Sequence, residues 1–389
     1  MRLFGWKAAR SSARPVLTRT FGVMGGIGAP AQGDWPTGYE AQVRAAYLGN
    51  AVAQRAVRIV AEGAGGVTID STGGDGAGGD APPGGHPVAG LLAGMGQPLI
   101  ETVAAHLLLH GDAYIQILGD ADGRPAMLFA LRPERVTIEP DATGWPAAYV
   151  YRAAGQALRI PVAAPDGKPG LVHIRTMHPL DDQYGLGCLA AAAGPVAIHN
   201  AATRWNKALL DNAARPSGAL VYDPGEPGAA LSPDQFQRLK TEMEAGFSGS
   251  GNAGRPMLLE GGLKWQALSL TPADMDFINL KAAAAREIAL AFGVPPMLLG
   301  LPGDNTYANY SEANRALWRL TILPLADKIV GALATALAAW WPDLTLAIDL
   351  DAIPALATDR TALWSQVSAA DFLSDDEKRA MLGFGPRGA

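Results

Sequence analysis

The 389-residue chain has a single cysteine, Cys188. One thiol excludes an intramolecular disulfide and any thiolate cluster around a metal, and it suits a reducing compartment. Long apolar runs are scarce as well. The longest, Gly187–Ile198 and Gly331–Trp341, fall short of the roughly 18–20 residues that span a bilayer, so no membrane partner is expected. Excess basic charge is also missing: 31 Lys and Arg stand against 37 Asp and Glu, a net charge of −6. Proteins that grip nucleic acid by neutralising phosphates carry a basic face, so tight static binding is not expected. Contact with DNA that must slide stays open.

Other absences narrow the chemistry. No G-x-x-x-x-G-K-[ST] phosphate cradle occurs, since Lys168 is followed by Pro169, and no G-x-S-x-G nucleophile turn occurs either. Any ATP-driven work must therefore come from a partner. Before Asp34 there is no acid, only Arg2, Lys7, Arg10, Arg14 and Arg19. With no continuous apolar core beside them, a secretory signal is not expected. A solvated tail is the plain reading of residues 1–35; an arm touching DNA or a partner is the sharper one.

What is present describes a folded α+β protein. Hydrophobic residues make up 49% and charged residues 17%, which favours a packed core, while 47 Gly and 29 Pro imply many loops between short elements. Gln42–Ala61 has a helical apolar stripe, and Gly63–Gly85 is too poor in apolar residues to be other than a flexible loop. A helix over Leu99–His110 should end at Gly111. Strand patterns follow at Ala113–Leu118, Ala126–Leu131, Val136–Glu139, Ala148–Tyr151 and Leu171–Thr176, implying a mostly antiparallel sheet.

The second half reads as helices. Gly187–Asn212 is Ala-rich, and Ala219–Tyr222 is strand-like. Ser232-Pro233-Asp234-Gln235 is a capping box with Pro in the first turn, opening a helix to about Ala245. Met257–Glu260 and Leu263–Leu268 look like a hairpin. Thr271-Pro272 opens a helix with Met275, Ile278, Ala282, Ala285, Ala289 and Phe292 on one face, stopped by Gly293 and Pro295-Pro296. Beyond the polar loop Gly300–Tyr310, Ser311 caps a helix to about Ala339, with Pro324 kinking it. A strand at Leu344–Leu350 and two short helices follow, the last boxed by Ser374 and Glu377.

Four arrangements could carry chemistry. Gly185-Leu186-Gly187-Cys188-Leu189-Ala190 fits G-x-G-x-x-A, the turn of a nucleotide-binding enzyme, and is the alternative function for this chain. Against it, the preceding strand ends too early and no acid follows a second strand at the required distance. His106 and His110 have the spacing of two zinc ligands, but position 107 is Leu and no third ligand is apparent, so structural histidines are the better reading. Asp181-Asp182 lie in a Pro/Gly-flanked loop where charge is usually just solvated. Arg238, Lys240, Glu242 and Glu244 share one charged helix, a docking surface or an ordinary solvated face. No catalytic, cofactor or metal residue is assigned.

The order of segments resembles the portal proteins of Hong Kong-type siphophages. The resemblance rests on "LSPDQFQRLKTEMEAGFSGSGNAGRPMLLEGGLKWQALSLTPADMDFI" and "REIALAFGVPPMLLG", flanked by "HPVAGLLA", "HLLLHGDAYIQIL", "LRPERVTI", "DNAARPSGAL", "YANYSEANRALWRLTILPLADKI" and "LSDDEKRAMLGF", over roughly residues 40–385. Its Ala-rich composition and its length further resemble the portals of gene transfer agents. Two departures stand out: Asp112 replaces the usual Asn after Gly, and Gly187-Cys188-Leu189-Ala190 replaces Gly-Ser-Pro-Leu.

The resemblance implies a dodecameric, non-catalytic ring at the portal vertex of a capsid, assembled in the bacterial cytoplasm. It implies an α+β wing (36–190), stem helices (191–213 and 271–293) and a clip (214–270). A tunnel-loop region (294–310), a kinked wing helix (311–340) and a C-terminal crown (341–389) complete it. Partners would be double-stranded DNA in the channel, the terminase large subunit, a head-completion or adaptor protein and the major capsid protein. Asp304, Asn305, Thr306, Tyr307 and Asn309 would meet DNA in the tunnel loop, and the charged helix of Arg238 would face the clip's partners. An acidic balance then makes sense, because a conduit must pass a polyanion without holding it.

Overall fold

The computed structural model describes residues 17, 36, 38–72, 87–93, 98–211, 218–223, 231–247, 262–267, 276–301 and 307–382. The chain divides into two compact units, one of Met1–Ala192 with Ala289–Ala389, the other of Ala193–Ile288.

The first unit begins with helices. α1 (Tyr39–Val43) passes into a π turn (Arg44–Leu48), and α2 (Ala51–Gly65) restarts after Asn50. The side-chain oxygen of Asn50 accepts from the amides of Val52 and Ala53, so the stripe expected over Gln42–Ala61 is divided by a cap. α2 also outlasts expectation. It consumes the start of the supposed loop, and β1 (Ile69–Thr72) then pairs with β10 (Thr345–Ile348), Ile69 opposite Ile348. Residues 73–86 lie outside the described set. After α3 (Pro87–Ala93), α4 (Leu99–Leu109) packs on α2, burying Val103, Ala104 and Leu107, and stops at Gly111, whose φ is +93°.

Two antiparallel three-stranded sheets follow. β2 (Asp112–Gly119) lies between β3 (Pro125–Leu131) and β7 (Leu171–Arg175); β5 (Pro146–Ala153) lies between β4 (Val136–Pro140) and β6 (Gln156–Pro161). Their shared core includes Tyr114, Leu131, Ile138, Tyr149 and Ile160. β6 is not expected from the sequence: Leu158, Ile160 and Val162 do alternate, but Pro161 interrupts the run, and most of the strand's residues are exposed.

α5 (Cys188–Asp211) carries the chain towards the second unit, and α7 (Phe277–Ala291) brings it back. Within that unit Trp205 stacks on Phe277, with centroids 4.1 Å apart and planes at 16°. β8 (Gly218–Tyr222) pairs with β9 (Leu263–Ala267), and α6 (Pro233–Phe247) lies between them in sequence. β9 takes β8 as partner along one edge, and Met257–Glu260, the other arm of the hairpin expected within 257–268, lie outside the described residues. So do Thr271–Met275; α7 is first seen after Asp276, at φ +44°. Of its expected apolar face, Ala285, Ala289 and Phe292 are buried, whereas Ile278 is 84% exposed.

Back in the first unit, a 3-10 turn (Pro296–Leu299) precedes α8 (Tyr307–Leu317), a π turn (Trp318–Ile322) and α9 (Leu323–Leu337). Ser311 is therefore inside the helix, not its cap. Pro324 has no N–H for the carbonyl of residue 320, and the π turn just before it absorbs the mismatch. Ile322, in that turn, approaches Gly63 so closely that an added Cβ there would stand 2.6 Å from its Cδ1. By length and composition the helix through residues 309–337 could cross a membrane, which no sequence run suggested. Its Ile322, Ile329 and Leu333 are nonetheless fully buried in the unit, the position of a core helix. α10 (Ala357–Ser368) and α11 (Asp375–Met381) end the described chain. Ser374 and Glu377 form the expected box, and Arg360 joins Asp351 (3.0 Å) to the carbonyl of Leu382.

Candidate channel and docking sites

The proposed channel loop is held at both ends. Gly300, at φ +74°, closes the 3-10 turn, and α8 starts at Tyr307. The structure thus places Tyr307 and Asn309 in the first turn of a helix and leaves Asn309 and Tyr310 exposed. Asp304, Asn305 and Thr306 fall outside the described residues. The helix boundary expected at Ser311 moves back to Tyr307, so the loop is shorter than the sequence suggested.

The charged helix is as expected. Ser232 and Gln235 cap α6 reciprocally, with N···O distances of 2.9 and 3.3 Å. Arg238, Lys240 and Glu242 are exposed. Arg238 and Glu242, one turn apart, share one exposed face of the helix with Asp234, Gln237 and Thr241; Lys240 lies off it. Glu244 sits on the same helix, its side chain outside the described set.

The Gly185/Gly187 turn is filled by its own chain. The Gly185 amide donates to the Asp112 carboxylate at 2.9 Å. A Cβ on Gly187 would stand 2.6 Å from the Leu109 carbonyl oxygen, and the Gly111 backbone presses on Gly185 equally closely. Thr176 Oγ1 lies 2.7 Å from the Leu186 carbonyl and 3.0 Å from that of Gly111. These glycines let three backbone segments meet, and no room is left for a pyrophosphate. The nucleotide-binding alternative loses its structural basis.

Asp112 is what sequence reading missed. It is fully buried at the start of β2, with Oδ1 2.8 Å from His173 Nε2. His110 Nδ1 stands 3.4 Å from Oδ2, an ion-pair distance rather than a good hydrogen bond. Tyr114 stacks on His173 at 4.5 Å. Burial pushes the Asp112 carboxyl up, but the nearby His110 ring and the hydrogen bonds from His173 and Gly185 outweigh it and hold the group below its usual range. The only signal in the sequence was that Asp stood in the usual place of Asn; its partner His173, on a strand far along the chain, carried none.

The remaining candidates are structural. His106 is half-buried, its enclosed Nδ1 has no partner among the described residues, and desolvation lowers its pKa to about 4. Among the described residues no group of three or more His, Cys, Asp or Glu is arranged to hold a metal. Asp181 accepts from the amides of Gln183 and Tyr184, shaping its loop. Burial raises the pKa of the Cys188 thiol, which lowers its thiolate fraction.

Comparison with known proteins agrees with this reading. A family model described as phage portal protein matches residues 51–383. An uncharacterized protein of Rickettsia bellii is 38% identical over 351 residues, 87% of each chain. A probable portal protein of Streptomyces phage phiC31 is 28% identical over 215 residues, 54% of this chain and 46% of that one. Among solved structures, a chain in the neck of a native gene transfer agent (GTA) particle computed with C12 symmetry is 44% identical. It has a TM-score of 0.67 and covers 91% of this chain and 96% of its own. A portal of the HK97 family from Corynebacterium diphtheriae shares the fold at 20% identity, with a TM-score of 0.55 over 83% of this chain and 99% of that one. With the family match spanning most of the chain, and the glycine turn that suggested a nucleotide-binding enzyme closed by its own backbone, the protein belongs to the phage portal protein family.

Proposed function

We propose that twelve copies of this chain form the portal ring in the neck of a gene transfer agent-type particle, a structural role through which double-stranded DNA enters and leaves the capsid. One observation carries the reading: 44% identity, over nearly the full length of both chains, to a component of a C12-symmetric GTA neck. Composition supports it. A bore of net acidic or neutral subunits releases few counterions per phosphate, so DNA slides instead of sticking.

In this reading α5 and α7 form the stem, and residues 214–270 form the clip. The loop with Asp304, Asn305, Thr306 and Tyr307, continued by Asn309 on the first turn of α8, narrows the channel by steric and weak polar contact. The α6 face of Arg238, Lys240, Glu242 and Glu244 meets the packaging motor or an adaptor protein, and the motor supplies the ATP chemistry this chain lacks. Particle mass tests the ring. Electron microscopy should show a hollow ring, and its measured mass should be twelve times that of the 40.4 kDa chain. A chain that stays monomeric or dimeric at every concentration, and is absent from purified particles, would overturn the proposal.

A further inference from the structure

The helix through residues 309–337 poses a packing problem. It is the one described helix long and apolar enough to cross a membrane, yet only 33% of its most apolar window is buried within the chain. One side is core, with Ile322, Ile329 and Leu333 fully enclosed. The other side, from Leu320 through Pro324, Gly331 and Thr335, is open to solvent. Leu320 is 77% exposed, and a methyl added at Gly331 would meet nothing within 4 Å. Thr335 Oγ1 donates to the Gly331 carbonyl at 2.8 Å, so its hydroxyl is satisfied inside the helix and its methyl can take an apolar neighbour. Asp327 and Lys328 interrupt this face side by side, both exposed and neither in an ion pair with the described residues.

We propose that this face is one half of the contact between neighbouring copies in the ring, and that its occupant is a second copy of this chain. The inference rests on the ring reading and adds the surface. A relative 44% identical over 91% of the chain stands in a neck of C12 symmetry, where every copy has an identical neighbour on each side. Such a ring is heterologous, so each copy needs two different complementary patches. A helix face on the order of 20 Å long, from Leu320 to Thr335, with Leu320 and Pro324 at one end, the small Gly331 and Thr335 at the other and one charged pair between them, is extensive enough to be one of them. The Asp327–Lys328 pair, without an ion-pair partner among the described residues of its own chain, gives that contact orientation and register, since charges across an interface penalise wrong alignments.

The experiment compares the full-length wild-type chain with Leu320→Asp, Gly331→Trp and Lys328→Glu by mass photometry over a concentration series. Far-UV circular dichroism and thermal melts accompany each sample, and flotation with phosphatidylcholine vesicles tests for lipid. Wild type should form rings. Leu320→Asp and Gly331→Trp should remain folded but need at least tenfold higher concentration to assemble, and Lys328→Glu, a change on an exposed side chain, at least fivefold. Unaltered assembly of all three variants would overturn the inference and leave the ring intact. Flotation of the wild type, abolished by Leu320→Asp, would assign the face to lipid and overturn it as well. A wild-type chain that never rises above monomer would sink the ring reading itself.

Discussion

At the residue scale, the buried Asp112 holds three segments together: the end of α4 through His110, β7 through His173, and the 182–187 turn through Gly185. Replacing it with Ala leaves His173 and the Gly185 amide unpaired in a dry site, which should cost about 3 kcal/mol in urea unfolding. Asp112→Asn keeps an acceptor for Gly185 and should cost clearly less. Because the folded carboxyl titrates below its ordinary value, Asp112's contribution is fully present at neutral pH. It is lost as pH falls through the usual carboxyl range and below it.

His106 acts in a higher window. Its folded pKa of about 4 lies under the ordinary 6.5, so between those values the unfolded chain binds the extra proton and stability falls as pH falls. The full shift corresponds to about 3 kcal/mol between pH 7 and pH 4. His106→Leu should flatten the melting temperature over that interval while leaving the acid-side loss from Asp112 in place. An unchanged slope in the variant would assign the dependence to other groups. Neither site could be derived from spacing, because burial with a partner on β7 decides the first and burial alone decides the second.

At the element scale, reciprocal local signals held, a single capping residue such as Ser311 misled, and distant signals were silent. The Ser374–Glu377 and Ser232–Gln235 boxes were legible because a cap is made by residues close together in sequence. β1 was hidden for the opposite reason: its pairing partner β10 lies near the other end of the chain, and the glycines around it resemble a loop. The split between α1 and α2 needed only Asn50, a residue type that caps helices, but the apolar periodicity around it outweighed one polar side chain. Asn50→Ala should cost about 1–2 kcal/mol, because two amides of α2 lose their acceptor. The π turn sets a second test. Gly63→Ala brings a methyl against the buried Ile322 and should destabilise by about 1 kcal/mol; Ile322→Val removes the colliding Cδ1. Combined, the two should cost less than their sum, a coupling of about 1 kcal/mol in a double-mutant cycle. Strict additivity would mean that the π turn tolerates the extra methyl by moving.

At the scale of the whole molecule, assembly and DNA handling should separate. Helix α8 already begins at Tyr307, and Asn309 belongs to its first turn, so a test of the channel loop must spare both. Deleting residues 302–306 removes Asp304, Asn305 and Thr306 without touching the exposed helix face from Leu320 to Thr335. If that face joins the copies and the loop meets the DNA, the deletion should leave rings of the wild-type subunit count. It should also lower the nuclease-protected DNA per particle, because the constriction that resists backsliding is widened. The reverse pattern is expected for Leu320→Asp, which should reduce rings and particles together while each particle that forms holds a normal amount of DNA. Measuring ring mass and protected DNA on the same preparations distinguishes the two. A loop deletion that packages normally would move the DNA-facing role to another part of the chain, and one that abolishes rings would make those residues part of the subunit contact instead.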